Sequence, residues 1–175
     1  MDSQSLEQLA EAAKSIFQQG NFTQAAGEFA HLAQSYADLG DVLMAAEMRN
    51  NQSVSLLQAG QAAAALDLVL DTDKIFAQAG DLRRQGLALG NRAAALEALG
   101  RADEAARDYD QAADLLDRAG EGDLRAMVLK SRAALDLKRG KVTDSAVNMM
   151  GHLASLEKPT LFQRFLKFLL RFRLW

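Results

Sequence analysis

Glycine recurs every twenty residues through most of the chain, at Gly20, Gly40, Gly60, Gly80, Gly100, Gly120 and Gly140. It is the preferred residue just after a helix C-terminus, because the backbone reverses there through a positive φ that a Cβ atom penalises. The interval leaves about 17 residues for each helix, roughly 25 Å at 1.5 Å per residue. The spacing therefore predicts short packed helices joined by glycine turns, with neither strands nor a coiled coil.

Apolar residues within the first two intervals follow the three-and-four spacing of a helix that buries one face. The first helix is predicted over residues 4–19, with its apolar face formed by Leu6, Leu9, Ala10, Ala13, Ile16 and Phe17. The second is predicted over residues 23–39, with Ala26, Phe29, Ala30, Ala33 and either Tyr36 or Ala37 buried.

Three further features repeat every forty residues. An acidic residue follows every second glycine, at Asp41, Asp81 and Glu121. A small residue lies five positions after each of the other glycines, at Ala25, Ala65, Ala105 and Ser145, and a small polar residue recurs at Asn51, Asn91 and Ser131. We expect each acid to cap the next helix and to oppose its positive N-terminal dipole. We expect each small residue to let the second helix of a unit pack closely on the first.

The segments Gly20-Asn21-Phe22-Thr23-Gln24-Ala25 and Gly100-Arg101-Ala102-Asp103-Glu104-Ala105, followed by Phe29 and Tyr109, resemble the tetratricopeptide repeat. The period of forty is similar to the long-helix variant of that repeat found in kinesin light chain and in bacterial peptide-sensing regulators. The resemblance covers about residues 3–157 and implies an all-α, right-handed α-solenoid of four helical hairpins. It places them at residues 3–40, 41–80, 81–120 and 121–157, within one repeat domain over residues 1–157.

The resemblance further implies that the first helix of each hairpin lines a concave face that binds peptides or proteins. Matched position by position, that face comprises Lys14, Phe17, Gln18, Glu47, Asn50, Val54, Leu57, Gln58, Leu87, Gly90, Ala94, Glu97, Met127, Lys130, Ala134, Leu137 and Lys138. Members that clamp a peptide carboxylate use several basic and amide side chains, and only Lys14 and Lys130 fall near such places here. We therefore do not assign a carboxylate clamp. Asn51 and Asn91 have two interpretations, a hydrogen bond to an extended peptide or a tether to the neighbouring helix.

The sequence contains few residues of the types that carry out catalysis or bind metals. The chain has no cysteine and only two histidines, His31 and His152, which are 121 positions apart. No zinc-protease, phosphate-loop, nucleophile-elbow or calcium-loop spacing is present. The alternating charges on residues 101–110 are typical of a solvated helix face. We expect no enzymatic activity, metal or cofactor. Gly86 and Gly90 lie inside a predicted helix, where they indicate either close helix contact or the approach of a partner's backbone.

The basic C-terminal segment (residues 160–175) differs from the rest of the chain. Residues 1–159 carry 16 Lys and Arg against 23 Asp and Glu, whereas the segment carries four basic residues and no acid. The acidic body argues against nucleic acid as a partner. On a helical wheel the segment has an apolar half formed by Leu161, Phe162, Phe165, Leu166, Phe168, Leu169, Phe172 and Trp175, and an opposite polar sector formed by Gln163, Arg164, Lys167 and Arg171.

This segment, which follows Pro159, is predicted to be an amphipathic helix over residues 158–175. Sixteen residues span about 24 Å as a helix, less than the roughly 30 Å of a bilayer's hydrocarbon core. Three roles remain open: binding at an anionic membrane surface, docking to a partner protein or to a second copy of the chain, and capping of the solenoid.

The sequence thus predicts a non-enzymatic interaction scaffold, held at a membrane surface or on a larger membrane complex by its C-terminal helix. The alternative is a soluble peptide-binding or assembly-factor module whose last helix only caps the repeats. The first residues, from Met1 to Glu7, have neither a basic region nor an apolar run, so we expect no secretory signal peptide. Together with the absence of cysteine, this favours a cytoplasmic protein, or one peripheral to the cytoplasmic face of a membrane.

Overall fold

A computed structural model describes residues 3–140, and within that range the fold is all-helical, with no strand. Eight helices follow one another in this part of the chain. They are α1 (Ser3–Gln18), α2 (Phe22–Asp38), α3 (Val42–Gln58), α4 (Ala62–Val69), α5 (Thr72–Gln78), α6 (Leu82–Ala98), α7 (Ala102–Arg118) and α8 (Gly122–Lys138). The predicted helices at 4–19 and 23–39 are confirmed to within one residue as α1 and α2.

Every predicted glycine turn is present. All seven glycines of the series have a positive φ, between 68° and 82°. At the first turn the N–H of Gly20 donates to the carbonyl of Phe17 and the N–H of Asn21 donates to that of Ile16, the hydrogen-bond pair of a Schellman motif. The predicted acidic caps are confirmed at Asp41 and Asp81, whose carboxylates accept hydrogen bonds from backbone N–H groups at 3.0 and 2.8 Å.

The interval between Gly60 and Gly80 differs from the expectation of one helix between turns. It contains two helices, α4 and α5, separated by Leu70 and Asp71. Thr72 lies at the break, where its hydroxyl lies within hydrogen-bond distance of the Val69 carbonyl and the Asn50 side-chain oxygen, both at 3.2 Å. The guanidinium of Arg92 donates to the Leu70 carbonyl at 3.2 Å, so a side chain from α6 satisfies a carbonyl that the interrupted helix leaves free.

Helices adjacent in the chain pack against each other from α1 to α4 and again from α5 to α7, and α6 also contacts α3 and α4. One buried apolar cluster joins α1, α2 and α3, and it contains Leu6, Ala10, Ala13, Ala25, Phe29, Leu32, Ala33, Tyr36, Ala45 and Met48. The predicted small residues at 25, 65 and 105 are fully buried alanines. The prediction for Leu9 is wrong, because this side chain is 45% exposed.

Gly86 provides close helix contact. A Cβ atom at this position would lie 2.8 Å from the Cγ atom of the buried Leu116 and 3.2 Å from the carbonyl oxygen of Ala112, both on α7. A Cβ at Gly90 would meet only an ordinary contact, 3.6 Å from Val128. Of the two interpretations of the glycines inside this helix, close contact between helices is therefore confirmed at Gly86.

The chain divides into two compact units, residues 1–132 and 133–175, with the boundary inside α8. Of the second unit, the structure describes the end of α8 and its glycine turn, where the N–H of Arg139 donates to the carbonyl of Leu135. The basic C-terminal segment, Ser145 and His152 lie outside the described residues. No helix within residues 3–140 is both long and apolar enough to cross a membrane.

Candidate binding groove

Three cavities lie along α1, α3 and α6 within the first unit. Cavity A, of about 240 Å³, is formed by two aromatic rings, one aliphatic side chain and the polar side chains at its edge. Its lining residues are Lys14, Phe17, Gln18, Phe29, Asn51 and Val54. The Phe17 ring is held against that of Phe22, with centroids 5.2 Å apart and planes tilted by 59°. The aromatic pair fixes the wall of a pocket that suits an apolar side chain.

Cavity B, of about 230 Å³, lies between α3, α5 and α6. It is lined by Glu47, Asn50, Asn51, Val54, Phe76, Arg83, Arg84, Leu87 and Asn91. The Arg84 guanidinium lies 6.0 Å from the centroid of the Phe76 ring and 3.2 Å from the Glu47 carboxylate. Three amides, two arginines and an aromatic ring thus offer both donors and acceptors to an extended backbone.

Cavity C, at about 450 Å³ the largest of these three, lies between α1, α2 and α3. It is lined by Glu7, Gln8, Ala10, Glu11, Lys14, Tyr36, Met44, Glu47 and Met48. Lys14 Nζ lies 2.6 Å from Glu11 Oε1 at its edge. Burial raises the pKa of the Tyr36 phenol, and the charges of Glu7, Asp41 and Glu47 raise it further.

The three cavities share lining residues and so form one surface, which we call the groove. Asn51 and Val54 line both cavity A and cavity B, Lys14 lines both A and C, and Glu47 lines both B and C. The groove runs over the first helices of three successive forty-residue units, and its floor includes the buried rings of Phe29, Tyr36 and Phe76.

The structure brings together only part of the predicted concave face. The residues of that face that line the groove are Lys14, Phe17, Gln18, Glu47, Asn50, Val54 and Leu87. Those that line none of the three cavities are the half-buried Leu57, Gly90, Ala94 and Glu97 and the exposed Gln58, Met127, Lys130, Ala134, Leu137 and Lys138. Asn50 is only 6% exposed, and its amide oxygen accepts from Thr72. Asn50, the residue before Asn51, therefore makes the kind of contact to a neighbouring helix that was one interpretation of Asn51.

Residues 162–175, to which the membrane or partner contacts were assigned, lie outside the described part of the chain. The sequence pattern indicates Tyr36 only as a core residue and gives no signal for Glu7, Met44 or Met48. Their convergence depends on how three helices pack, and no local spacing signals it.

A charged cluster lies apart from the groove, at the break between α4 and α5. Arg92 donates to both carboxylate oxygens of Asp108, at 2.6 and 3.0 Å, and to Asp73 at 3.0 Å. The hydrogen bond to Asp108 is the main cause of a raised pKa for the Arg92 guanidinium. Asp108 is only 8% exposed, so the interpretation of residues 101–110 as a solvated face is wrong at this position.

Within residues 3–140, no group of three or more His, Cys, Asp or Glu side chains is arranged to hold a metal ion. His31 is an exposed residue of α2. The chain matches no protein-family model. A search of curated proteins likewise found no relative of this chain.

Proposed function

We propose that this chain is a non-enzymatic interaction scaffold of the tetratricopeptide type, whose groove binds an extended segment of a partner protein. In this proposal the described helices form the hairpins of a right-handed α-solenoid. Support comes from the glycine turns at twenty-residue steps and from the buried alanines at equivalent positions in three units. Close packing of helices that are adjacent in the chain also supports it.

The observation that carries the proposal is the continuity of the three cavities. They lie on α1, α3 and α6, which are the helices that the resemblance assigns to ligand binding, and they share Lys14, Glu47, Asn51 and Val54. A run of pockets with mixed apolar and polar walls suits an extended peptide, which presents a side chain to each pocket and its backbone to the amides between them.

Selection of random displayed peptides on the immobilised full-length protein tests this proposal. Fluorescence anisotropy of the selected peptides then gives their affinities. We expect Val54→Arg to lower affinity by about tenfold or more, because Val54 is shared by two cavities and the new side chain fills both. The control Gln24→Arg adds the same charge at an exposed site on α2. Failure to select any peptide, or equal effects of the two variants, would contradict the proposal.

The sequence of the basic C-terminal segment favours a second element of this function, attachment to an anionic membrane. Aromatic and aliphatic residues fill one half of its predicted helical wheel, and basic residues occupy the opposite sector. Such a helix lies in the headgroup layer, where each Lys or Arg adds about 1 kcal/mol of attraction. The repeat body and this segment would then serve separate tasks, recognition and localisation.

Sedimentation of the full-length protein with phosphatidylserine vesicles tests the membrane proposal. Phe168→Glu places a charge in the apolar half and should abolish binding, whereas Gln163→Glu adds the same charge to the polar sector and should weaken it only slightly. If wild-type protein stays in the supernatant, the alternative applies, in which the segment caps the repeats or docks on a partner. If the segment caps the repeats, Trp175 fluorescence is blue-shifted before any lipid is added.

A further inference from the structure

Tyr36, which lines cavity C, has a buried hydroxyl group with no hydrogen-bond partner among the described residues. Tyr36 is only 2% exposed, and its hydroxyl oxygen makes no hydrogen bond within residues 3–140. Buried polar atoms in native proteins are nearly always paired, because leaving one unpaired costs its full desolvation penalty. Since Tyr36 lines the cavity, a polar ligand group seated there is positioned to supply the missing partner.

The lining of this cavity is also acidic. Glu7, Glu11 and Glu47 line the same cavity, against one basic residue, Lys14. Lys14 is paired with Glu11, and the Glu47 carboxylate contacts Arg84 through Oε2 at 3.2 Å. Within the described residues no ion pair involves Glu7. The cavity therefore retains an excess of negative charge, and its acceptors lie next to an unpaired phenol.

Apolar atoms line the rest of the cavity. Met44, Met48 and Ala10 contribute thioether and methyl groups. Methionine side chains are flexible and polarisable, so they adapt their shape to an aliphatic chain. The lining thus combines an apolar wall with a cluster of hydrogen-bond acceptors. The wall suits the four-carbon stem of a lysine side chain, and the acceptors suit its ammonium group.

We propose that cavity C binds a lysine side chain of the partner peptide, whose ammonium group donates to the Tyr36 phenol oxygen and to the carboxylates of Glu7 and Glu47. This inference rests on the proposed function, because it assigns the charge of the peptide at one point of the groove. The three donors of an ammonium group match these three acceptors. An anionic side chain is excluded by the two carboxylates, which would repel it.

Lysine fits better than arginine at this site. A guanidinium group is held best by both oxygens of one carboxylate. Glu11 already accepts from Lys14 through Oε1, and Glu47 is already within reach of Arg84 through Oε2, so only Glu7 offers both oxygens. The remaining acceptors are spread over separate side chains, an arrangement that suits the three diverging donors of an ammonium group. Acetylation of the lysine removes its charge and two of its three donors, so we expect a modified partner to lose this contact.

Peptide selection tests the inference separately from the proposed function. On the wild-type protein we expect the selected peptides to carry lysine at one fixed distance from an apolar residue that fills cavity A. Peptides selected without such a lysine would overturn the inference and leave the proposed function intact. If no peptide is selected, both fail.

Affinity measurements complete the test with a selected lysine peptide and its acetyl-lysine counterpart. We expect acetylation to weaken binding to the wild-type protein about tenfold, and to weaken binding to the Glu7→Gln variant only about threefold, because Glu47 and Tyr36 remain. Glu28→Gln, at an exposed site on α2 outside the three cavities, should respond like wild type. Equal affinity of the two peptides for wild-type protein would overturn the inference.

Tyr36→Phe distinguishes a ligand contact from a structural role. The substitution removes a hydroxyl that has no partner in the described residues, so the folded protein should be at least as stable as wild type. The same variant should bind the lysine peptide several-fold more weakly while binding the acetyl-lysine peptide as before. Unchanged affinity for the lysine peptide would overturn the role of the phenol.

Discussion

Replacing Arg92 by alanine removes the centre of the charged cluster at the α4–α5 break. In the wild-type protein this side chain makes two hydrogen bonds to Asp108, one to Asp73 and one to the Leu70 carbonyl, all between 2.6 and 3.2 Å. The substitution leaves two carboxylates and one carbonyl without this partner. The loss of folding stability depends on how far these groups are buried.

The cost follows from the exposure of the charged groups. The side chains of Arg92, Asp73 and Asp108 are 20%, 16% and 11% exposed. Removing one partner of a buried ion pair costs about 3–5 kcal/mol, whereas an exposed pair contributes about 0–1 kcal/mol. Because a fifth of the Arg92 side chain still reaches solvent, we expect a loss near the lower limit of the buried range, about 3 kcal/mol. For a chain of this size that corresponds to a fall in Tm of roughly 6–12 °C.

Urea unfolding followed by circular dichroism measures this loss, with Arg101→Ala as the matched control. Arg101 also makes two hydrogen bonds to one carboxylate, that of Glu104, but the two side chains are 46% and 44% exposed. We expect the control to lose much less stability than Arg92→Ala, because solvent screens an exposed ion pair. Arg92→Lys should recover part of the loss, since it keeps the charge without the planar fork. Equal costs for the two alanine variants would refute the reasoning from burial.

Gly86→Ala should destabilise the protein by about 1–3 kcal/mol, because the new Cβ meets a buried leucine of α7 at 2.8 Å. At Gly27 a new Cβ would meet nothing within 4 Å, so Gly27→Ala should instead stabilise the protein by about 0.5–1 kcal/mol. Urea unfolding measures the stability of both variants, and changes of the same sign would contradict this prediction. Burial raises the pKa of Tyr36 and Tyr109 above the usual 10.0, so the folded state holds both protons more tightly than the unfolded state. Stability is therefore unaffected by these groups below pH 10 and falls as the pH rises further. Ultraviolet absorbance of tyrosinate should show ionisation at higher pH in native protein than in urea, and coincident titrations would refute this. At Gly40, with φ of 76°, valine should cost more stability than asparagine, which adopts a positive φ more readily; equal melting temperatures would contradict this.

Much of the helical framework is predictable from local signals in the sequence. A glycine at each helix end requires a positive φ, and an acid directly after it reaches the free N–H groups of the next helix. Both effects act within a few residues, so spacing alone located the turns and the caps at Asp41 and Asp81. Burial of a single side chain is less predictable. Leu9 fits the apolar pattern of α1 and is nevertheless 45% exposed.

The break in the third interval was not predictable, because its partners are distant in the chain. The sequence around Leu70 contains neither glycine nor proline and fits a continuous helix. The contact to its carbonyl comes from Arg92, 22 residues later. The same arginine buries Asp108, which in sequence resembles its exposed neighbours. Local periodicity carries no information about either contact.

The candidate site was predicted in part. Position matching to the repeat placed Lys14, Phe17, Val54 and Leu87 on one face, and the structure finds all four in the groove. Cavity C was missed because Tyr36 fits a buried core position, and its pattern does not reveal that the hydroxyl lacks a partner. That property follows only from the packing of α1, α2 and α3.

The open space around the turn glycines has a consequence for how such a chain changes over time. At all seven of these glycines, a Cβ atom would meet nothing within 4 Å. Each position therefore requires a positive φ, whereas the space around it would accept a side chain. Asparagine and aspartate adopt a positive φ at a modest cost in free energy. Homologous chains can thus lose these glycines one by one while keeping a turn every twenty residues. The spacing of the turns would then remain recognisable after the identity of the residues has been lost.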